Sequence, residues 1–217
     1  MRDNTYYGEF LKGLNIEDLH RTEFEAHLND LKVQETEKLM HYLSGEDKNY
    51  FKVFLVRLEV EALRILIRGI ARSDDLETLR ELIIYSHQYT PVPFEKLFRA
   101  RDWDEFKKLL IDTDYYRILE IYKDIKVDQD LVMVEKTLDR YYYDLVKNRL
   151  FKLDKKANRN LIDAQRRNFD LLNLIWIYRG KKFYKLSREE LIAYSLRGGL
   201  KLNENRLLAL VEAKNFV

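Results

Sequence analysis

The chain has 217 residues, with 39 lysines and arginines against 37 aspartates and glutamates, and it contains no cysteine. A disulfide scaffold and a cysteine-ligated zinc or iron–sulfur site are therefore excluded, and a formal net charge of +2 gives no general case for nucleic-acid binding. Seven glycines and two prolines, among many leucine, glutamate, lysine and arginine residues, favour long amphipathic helices over a sheet. The predicted fold class is all-α.

The polar and aromatic start, MRDNTYYGEF, is unlike a signal peptide. The longest apolar run, near residues 171–178, is far shorter than the roughly 20 residues that cross a bilayer. We therefore expect a soluble, cytoplasmic protein with no transmembrane segment. Residues 17–47 hold nine acidic and three basic side chains, whereas residues 147–188 hold thirteen basic and three acidic ones. Solvated helix surface and a docking face both explain this asymmetry.

Five short patterns recur in the same order about 110 positions later in the chain. Residues 59–69 parallel residues 170–180 at an offset of 111, and the ELIIYS of residues 81–86 returns as the ELIAYS of 190–195 at an offset of 109. The other matches join residues 4–7 to 113–116, 25–28 to 135–138, and 97 and 106 to 207 and 216. Each match is weak alone, but five in order indicate two copies of one helical unit.

The repeat divides the chain into three parts. Residues 1–87 form a first repeat that lacks its opening helix, 88–200 form a second repeat, and 201–217 begin a third. The break at residues 90–93, Thr-Pro-Val-Pro, and the glycine pair at 198–199 lie near the two boundaries. By its own repeat phase, the chain is expected to be cut at both ends; a fragment of a longer protein and a natural short form both remain open.

The central helix of each unit is predicted from its pattern. Residues 53–67 and 169–178 are apolar on nearly all sides, which indicates mostly buried helices. Arg68-Gly69 and Arg179-Gly180 predict the ends of these helices, because glycine adopts positive φ and a cation faces the negative end of the helix dipole. Ser187 and Glu190 form a capping-box pattern that opens the next helix, and residues 73–76 start its equivalent in the first unit.

No pattern for catalysis, metal binding or cofactor binding is found. A phosphate loop needs a glycine five residues before Gly180, where Ile175 stands, and a serine or threonine in place of Lys182. Glu17 and His20 have the spacing of di-iron ligands but lack the second pair and further glutamates of such a site. His87 is interpreted as structural, and Tyr141-Tyr142-Tyr143 as residues at a core boundary rather than a base-stacking surface.

Three lysines exceed what the repeat requires. Lys181, Lys182 and Lys185 carry positive charge where the first unit has Ile70, Ala71 and Asp74. Scaffold and docking roles both remain open for this connection. Our hypothesis is that the three lysines lie on a face toward a partner or the membrane, and that changing all three to glutamate leaves the thermal midpoint nearly unchanged.

The residues DLLNLIWIYRGKKFYKLSREELIAY, together with NTYYGEFL, EFEAHL and YFKVFLVRLEVEALRILIRGI, resemble the repeated core of the C subunit, also called the d subunit, of V/A-type rotary ATPases. The resemblance covers essentially the whole chain and recurs twice in phase. Members of that family are longer and carry three helical units, so the resemblance also implies missing residues at both termini.

The resemblance implies a non-catalytic coupling subunit. In that family the helices form a funnel on the cytoplasmic side of the membrane. The funnel sits on the membrane rotor ring, receives the central stalk and transmits torque between ATP chemistry and proton or sodium movement. No cofactor, no nucleic acid and no catalytic residue is implied. The alternative is a soluble helical-repeat adaptor with an unrelated protein partner, and a pocket with converging carboxylates would favour a helical enzyme instead.

Overall fold

The computed structural model describes Gly8 and residues 21–123 and 129–213, and these form helices and loops with no strand. The predicted all-α class is confirmed. The helices are α1 Arg21–Tyr42, α2 Gly45–Arg72, a 3-10 helix Leu76–Leu82, α3 Phe94–Leu97, α4 Trp103–Leu109, α5 Asp114–Leu119, α6 Gln129–Leu150, α7 Arg159–Arg179, a π-helical turn Gly180–Tyr184, α8 Arg188–Tyr194 and α9 Glu204–Glu212.

Most of the apolar side chains belong to one core. The long helices α2 and α6 pack along each other, α1 lies on α2 and the 3-10 helix, and α9 lies against α7 and α8. The main cluster of buried residues extends along the chain from Tyr50 to Leu196, so residues on both sides of position 88 share it. A smaller cluster joins α7, α8 and α9 through Ile177, Leu191 and Leu207.

The order of the helices is consistent with the sequence repeat. The long helices α1 and α2 are followed by the 3-10 helix and by the short helices α3, α4 and α5, and the long helices α6 and α7 are followed by the π-helical turn and by α8 and α9. Glu204 begins α9 110 positions after Phe94 begins α3. Superposition of the two units in space, and the division at residues 88 and 201, stay predictions.

Several predicted helix starts are found in the structure. Ser187 and Glu190 form the capping box at the start of α8, where the Ser187 side chain accepts from the Glu190 amide. In the first unit, Asp75 accepts from the Glu77 amide, but the helix that follows is a 3-10 helix. The same local chemistry begins both segments, because a short side-chain oxygen satisfies an amide that has no partner inside the helix.

The predicted helix end at Arg179-Gly180 is confirmed, but the end at Arg68-Gly69 and the left-handed conformation expected of both glycines are wrong. Gly69 lies inside α2, and α2 ends at Arg72 with Ser73 in the left-handed conformation, φ 59°. Gly180 follows the last residue of α7 in helical conformation, φ −56°, and the chain continues through the π-helical turn to Lys185, φ 51°.

Close packing explains both glycines. A Cβ on Gly69 would lie 2.7 Å from Leu79 Cδ1 and 2.8 Å from Leu76 Cδ2. A Cβ on Gly180 would lie 2.5 Å from Leu191 Cδ2. Each glycine therefore lets the segment that follows the long helix approach the backbone of that helix.

The expected burial holds for α2 but not for α7. Helix α2 buries ten residues, although its Phe54 is exposed. Helix α7 buries only Phe169, Asp170, Asn173 and Ile177. Its remaining apolar residues include four that are exposed, so the prediction of a mostly buried 169–178 helix is wrong.

Candidate interaction surfaces

The three lysines of the connection after α7 do not share one environment. The Lys181 ammonium is half-buried and donates to the carbonyls of Leu210, at 3.0 Å, and Ala213, at 2.7 Å. It therefore caps the C-terminal end of α9, where carbonyls lack partners within the helix. Lys182 and Lys185 are exposed. The hypothesis of a shared basic face thus keeps Lys182 and Lys185, while Lys181 has a structural partner.

Lys182 lies over aromatic rings of the same connection. Its Nζ donates to the Tyr178 hydroxyl at 2.6 Å and lies 5.1 Å and 5.4 Å from the ring centroids of Tyr178 and Phe183. Phe183 and Tyr184 are themselves exposed. The connection therefore presents cations and aromatic rings side by side, a combination that suits a polar–apolar boundary.

An ion-pair network joins α2 of the first unit to α6 of the second. Asp139 Oδ1 accepts from Arg57 Nη1 at 3.2 Å and from Arg64 Nη1 at 3.4 Å. Glu135 accepts from Arg64 Nη2 at 3.1 Å and from Arg68 Nε. Arg68, predicted as the last residue of its helix, is thus one of three arginines of α2 that pair with carboxylates of α6.

The carboxyl group of Glu135 is favoured in its ionised form. Partial burial alone would raise its pKa, but the hydrogen bond from Arg68 and the charge of Arg64 outweigh that effect, and the net pKa is lowered. The Glu135 side chain is only 15% exposed, so its pairing is screened less than a surface ion pair. The network therefore favours the register in which α6 lies on α2.

Two buried carboxylates occupy matching positions of the repeat. Glu59 accepts from the Tyr115 hydroxyl at 2.8 Å, and burial raises the pKa of its carboxyl group despite this hydrogen bond. Burial, with the nearby charge of Glu59, also raises the pKa of the Tyr115 hydroxyl well above its ordinary value. Asp170, 111 positions after Glu59, instead accepts from three backbone amides, those of residues 200, 201 and 202, at 2.7 to 3.1 Å.

The two carboxylates hold different segments. Glu59 is bonded to Tyr115 in α5, and Asp170 holds the loop at residues 200–202. A Cβ on Gly199 would lie 2.0 Å from Asp170 Oδ1, so only glycine permits this contact. Arg166 adds hydrogen bonds to the carbonyls of residues 198 and 199, at 3.2 and 3.0 Å. The acidic residue at the start of each repeated motif thus binds a later segment, a helix in the case of Glu59 and a loop in the case of Asp170.

A cavity of about 530 Å³ lies where α2, α6, α7 and α8 meet. Arg64, Arg68 and Arg179 line it together with Glu135 and Trp176. The carboxylate of Glu135 is already paired with two of these arginines. The cavity is thus a gap between these four helices, and part of its lining is the ion-pair network around Glu135.

Helix α7 carries an exposed apolar face, the α7 stripe, formed by Leu171, Leu174, Ile175 and Tyr178. These residues follow steps of three and four and lie on one side of the helix. Their exposed fractions run from 36% at Tyr178 to 58% at Leu171. This surface was not predicted from the sequence, because apolar periodicity reports which residues favour burial and does not report what covers them.

The other residues considered from sequence have structural contacts or lie outside the described residues. The His87 ring packs on Tyr85 with centroids 4.4 Å apart. Tyr142 is buried, and Tyr141 and Tyr143 are half-buried. Glu17 and His20 lie outside the described residues. Within residues 21–123 and 129–213, no group of three potential metal ligands occurs, and no helix is long and apolar enough to span a bilayer.

Comparison with known proteins identifies a family that matches the whole chain and relatives that match most of it. The family described as ATP synthase (C/AC39) subunit matches residues 1–217. The C subunit of the A-type ATP synthase of Methanosarcina mazei is 26% identical over 174 residues, which are 80% of this chain and 47% of that protein. The corresponding protein of Methanosarcina acetivorans, also named as an A-type ATP synthase C subunit, is 25% identical over the same length, with the same coverage.

The A-type ATP synthase C subunit of Methanosarcina barkeri is 25% identical over 169 residues, 77% of this chain and 46% of that protein. The chain thus spans about half the length of the curated relatives it matches. No solved structure matches. Because the family match extends over all 217 residues, the chain belongs to the ATP synthase (C/AC39) subunit family, whose relatives named above are components of A-type ATP synthases.

Proposed function

We propose that the chain is a non-catalytic coupling component of an A/V-type rotary ATP synthase, which links the central stalk to the membrane rotor ring and transmits torque for proton or sodium transport. The observation that carries this proposal is the family match over residues 1–217. The names of the relatives favour this role over an adaptor with an unrelated partner.

The contacts between the units suit a part that carries mechanical load. Helix α6 is held on α2 by apolar packing and by the arginine network around Glu135 and Asp139. Paired charges with several hydrogen bonds resist sliding, because a shift of one turn separates every pair at once. A rigid joint of this kind transmits a displacement with little bending.

We further propose a peripheral position on the cytoplasmic face of the membrane, with Lys182 and Lys185 toward the membrane side of the complex. A lysine close to an anionic surface gains about 1 kcal/mol, and the effect decays within a Debye length of about 8 Å at physiological salt. The exposed lysines and aromatic rings of the connection support this orientation.

The test is capture of complex components by the purified full chain. Tagged protein is mixed with the central-stalk subunits and the detergent-solubilised rotor ring of an A-type ATP synthase. We expect both to be retained. Retention of neither would contradict the coupling role and leave the adaptor as the better interpretation.

Matched variants separate a specific basic face from general charge. Lys182→Glu with Lys185→Glu is expected to weaken capture of the rotor ring, most clearly at moderate salt. The control is Lys155→Glu with Lys156→Glu, which makes the same change of charge at two other exposed positions of the basic segment. Equal capture by both double variants would show that the two lysines act only as solubilising charge.

A further inference from the structure

The cavity between α2, α6, α7 and α8 is lined by charged groups of both signs. Its carboxylates are those of Glu135, Asp139 and Glu190. Its cations are those of Arg64, Arg68, Lys136 and Arg179. Which of these groups already bind each other decides what charge the cavity offers to a ligand.

The carboxylates of the cavity all have partners within the protein. Glu135 and Asp139 of α6 pair with arginines of α2. Glu190 accepts from the Ser187 amide and from the Ser187 hydroxyl, each at 2.8 Å, in the capping box of α8. The arginines of α2 are therefore neutralised by α6, and the carboxylates do not need a further cation.

Two cations of the cavity remain without a carboxylate partner in the part of the chain that the structure describes. Arg179 is exposed, and its Nη2 donates to the Tyr184 hydroxyl at 3.4 Å. Lys136 is half-buried, and its Nζ lies 5.5 Å from the ring centroid of Trp176. Tyr184 and Trp176 also line the cavity. The cavity therefore offers two uncompensated positive charges beside an indole ring.

The cavity and the α7 stripe lie on different sides of α7. Because successive residues of a helix are rotated by about 100°, Trp176 is rotated by about 140° from Leu171 and by about 160° from Tyr178. A segment that covers the stripe therefore does not fill the cavity. The cavity volume of about 530 Å³ lies within the range of about 300–1,000 Å³ that is typical of small-molecule sites.

We propose that this cavity binds an aromatic phosphate monoester, whose ring contacts Trp176 and whose phosphate is bound by Lys136 and Arg179. A phosphate monoester carries about −1.5 to −2 charges at pH 7 and matches two cations, whereas a carboxylate neutralises only one. Arginine binds phosphate through a planar pair of donors, and lysine binds it as a point charge. The proposal rests on the lining of the cavity and does not depend on the coupling role.

The experiment uses the isotope-labelled full chain and 1-naphthyl phosphate as the probe. The chain has two tryptophans, and the Trp103 indole donates to the Tyr122 carbonyl outside the cavity. Nuclear magnetic resonance should therefore show two indole N–H signals, and Trp176→Phe identifies the one from the cavity. We expect this signal to shift saturably with a Kd of about 1 mM or lower, while the Trp103 signal stays in place.

Further probes separate the ring from the phosphate. 1-Naphthol, which lacks the phosphate, and inorganic phosphate, which lacks the ring, should each bind at least about tenfold more weakly. 1-Naphthoate, with one negative charge, should bind about threefold to fivefold more weakly than 1-naphthyl phosphate, because one cation stays unpaired.

The pH dependence tests the charge of the bound probe. The second pKa of a phosphate monoester is about 6, so binding of 1-naphthyl phosphate should weaken between about pH 7 and about pH 5. 1-Naphthoate stays a monoanion in this range, because carboxyl groups titrate near about pH 4, and its binding should not change. No histidine lines the cavity among the described residues, so the protein supplies no group with an ordinary pKa in this range.

Charge-removing variants locate the phosphate. Lys136→Gln and Arg179→Gln should each weaken 1-naphthyl phosphate about threefold to fivefold and should abolish its advantage over 1-naphthoate, because one cation remains. Lys182→Gln makes the same change of charge at an exposed lysine outside the cavity and should bind like the wild type. Leu174→Gln, on the α7 stripe, should also bind like the wild type.

The Trp103 indole signal and the thermal midpoint confirm that each variant is folded. Absence of a saturable shift in the Trp176 signal would overturn the proposal. So would equal affinity for 1-naphthol and 1-naphthyl phosphate, since the cavity would then be an apolar slot. Equal weakening by Lys182→Gln and Lys136→Gln would reflect net charge alone, and loss of binding in Leu174→Gln would place the probe on the α7 stripe; either result would also overturn it.

Discussion

The main-chain carbonyls of Gly69 and Gly180, 111 positions apart, each accept the hydrogen bond that closes their helix. The Asp74 amide donates to Gly69 O at 2.9 Å, and the Leu186 amide donates to Gly180 O at 3.1 Å. In both units the donor directly follows a residue in the left-handed conformation, Ser73 or Lys185. The two glycines are therefore equivalent in two respects: the carbonyl of each accepts the closing hydrogen bond, and leucine side chains pack against the backbone of each.

Replacing Gly180 by alanine should destabilise the protein by about 1 kcal/mol, because overpacking costs about 1–3 kcal/mol and the better helix propensity of alanine returns at most about 1 kcal/mol. The new Cβ would meet Leu191 Cδ2, an atom of a buried side chain. The measurement is urea unfolding of Gly180→Ala, Leu191→Ala and the double variant. The double variant should lose less stability than the sum of the singles; simple additivity would show that the contact is relieved elsewhere.

Replacing Lys181 by methionine should cost about 1 kcal/mol, because the carbonyls at the end of α9 lose a charged donor while the apolar stem is kept. Lys182→Met, at an exposed neighbour, should stay within about 0.5 kcal/mol of the wild type. The thermal midpoints of the two variants are compared. This result would correct the expectation that all three lysines of the connection are dispensable for stability.

Replacing Asp170 by asparagine should destabilise the protein by about 1–3 kcal/mol. Both carboxylate oxygens accept backbone amides, at residues 200, 201 and 202, and an asparagine side chain offers only one acceptor oxygen. Hydrogen exchange at these three amides should become faster. Asp163→Asn, a half-exposed aspartate of the same helix, serves as the control, and equal exchange in both variants would contradict the assigned role.

The stability of Glu59→Gln, compared with that of the wild type at the same pH, should increase as pH rises. Burial raises the pKa of Glu59 above its ordinary 4.5, so the folded state holds this proton more tightly than the unfolded state. The associated stability is present below pH 4.5 and is lost as pH rises through the folded pKa. Glutamine retains an acceptor for the Tyr115 hydroxyl and has no charge to bury.

The free energy of unfolding of wild type and Glu59→Gln is to be measured at about pH 4, below the ordinary pKa of 4.5, and at about pH 8. The free energy of unfolding of the variant minus that of the wild type should be larger at the higher pH. Glu46→Gln, at an exposed position of the first turn of α2, should show no such shift. A pH-independent difference would mean that Glu59 does not change its protonation in this range.

Local chemistry could be predicted from the sequence, and contacts between distant segments could not. The capping box of Ser187 and Glu190 was predictable because both partners lie within four residues. Gly69 and Gly180 were predicted as helix caps because glycine after a cation is typical of a helix end. The structure shows another reason for glycine at both positions, since leucine side chains of the next segment leave no room for a Cβ. The partner of Lys181 lies 29 to 32 residues away, beyond any local pattern.

The burial of α7 was overestimated for a related reason. Its residues 169–178 are as apolar as a fully buried helix, but the described residues cover only one of its faces. The interaction network around Glu135 was also missed, although a signal existed. Arg57, Arg64 and Arg68 are spaced so that they lie on one face of a helix. A row of cations on a predicted core helix predicts acidic partners on a neighbouring helix.

The π-helical turn at Gly180–Tyr184 shows how this fold accommodates a change in length. Four positions separate Gly69 from the left-handed Ser73, whereas five separate Gly180 from the left-handed Lys185. One added residue in an α-helix would rotate every later side chain by about 100°. The wider turn takes up the residue locally, and Leu76 and Leu186 still reach their respective glycines. Insertions and deletions of one residue should therefore be tolerated between residues 181 and 184 far better than at any interior position of α7.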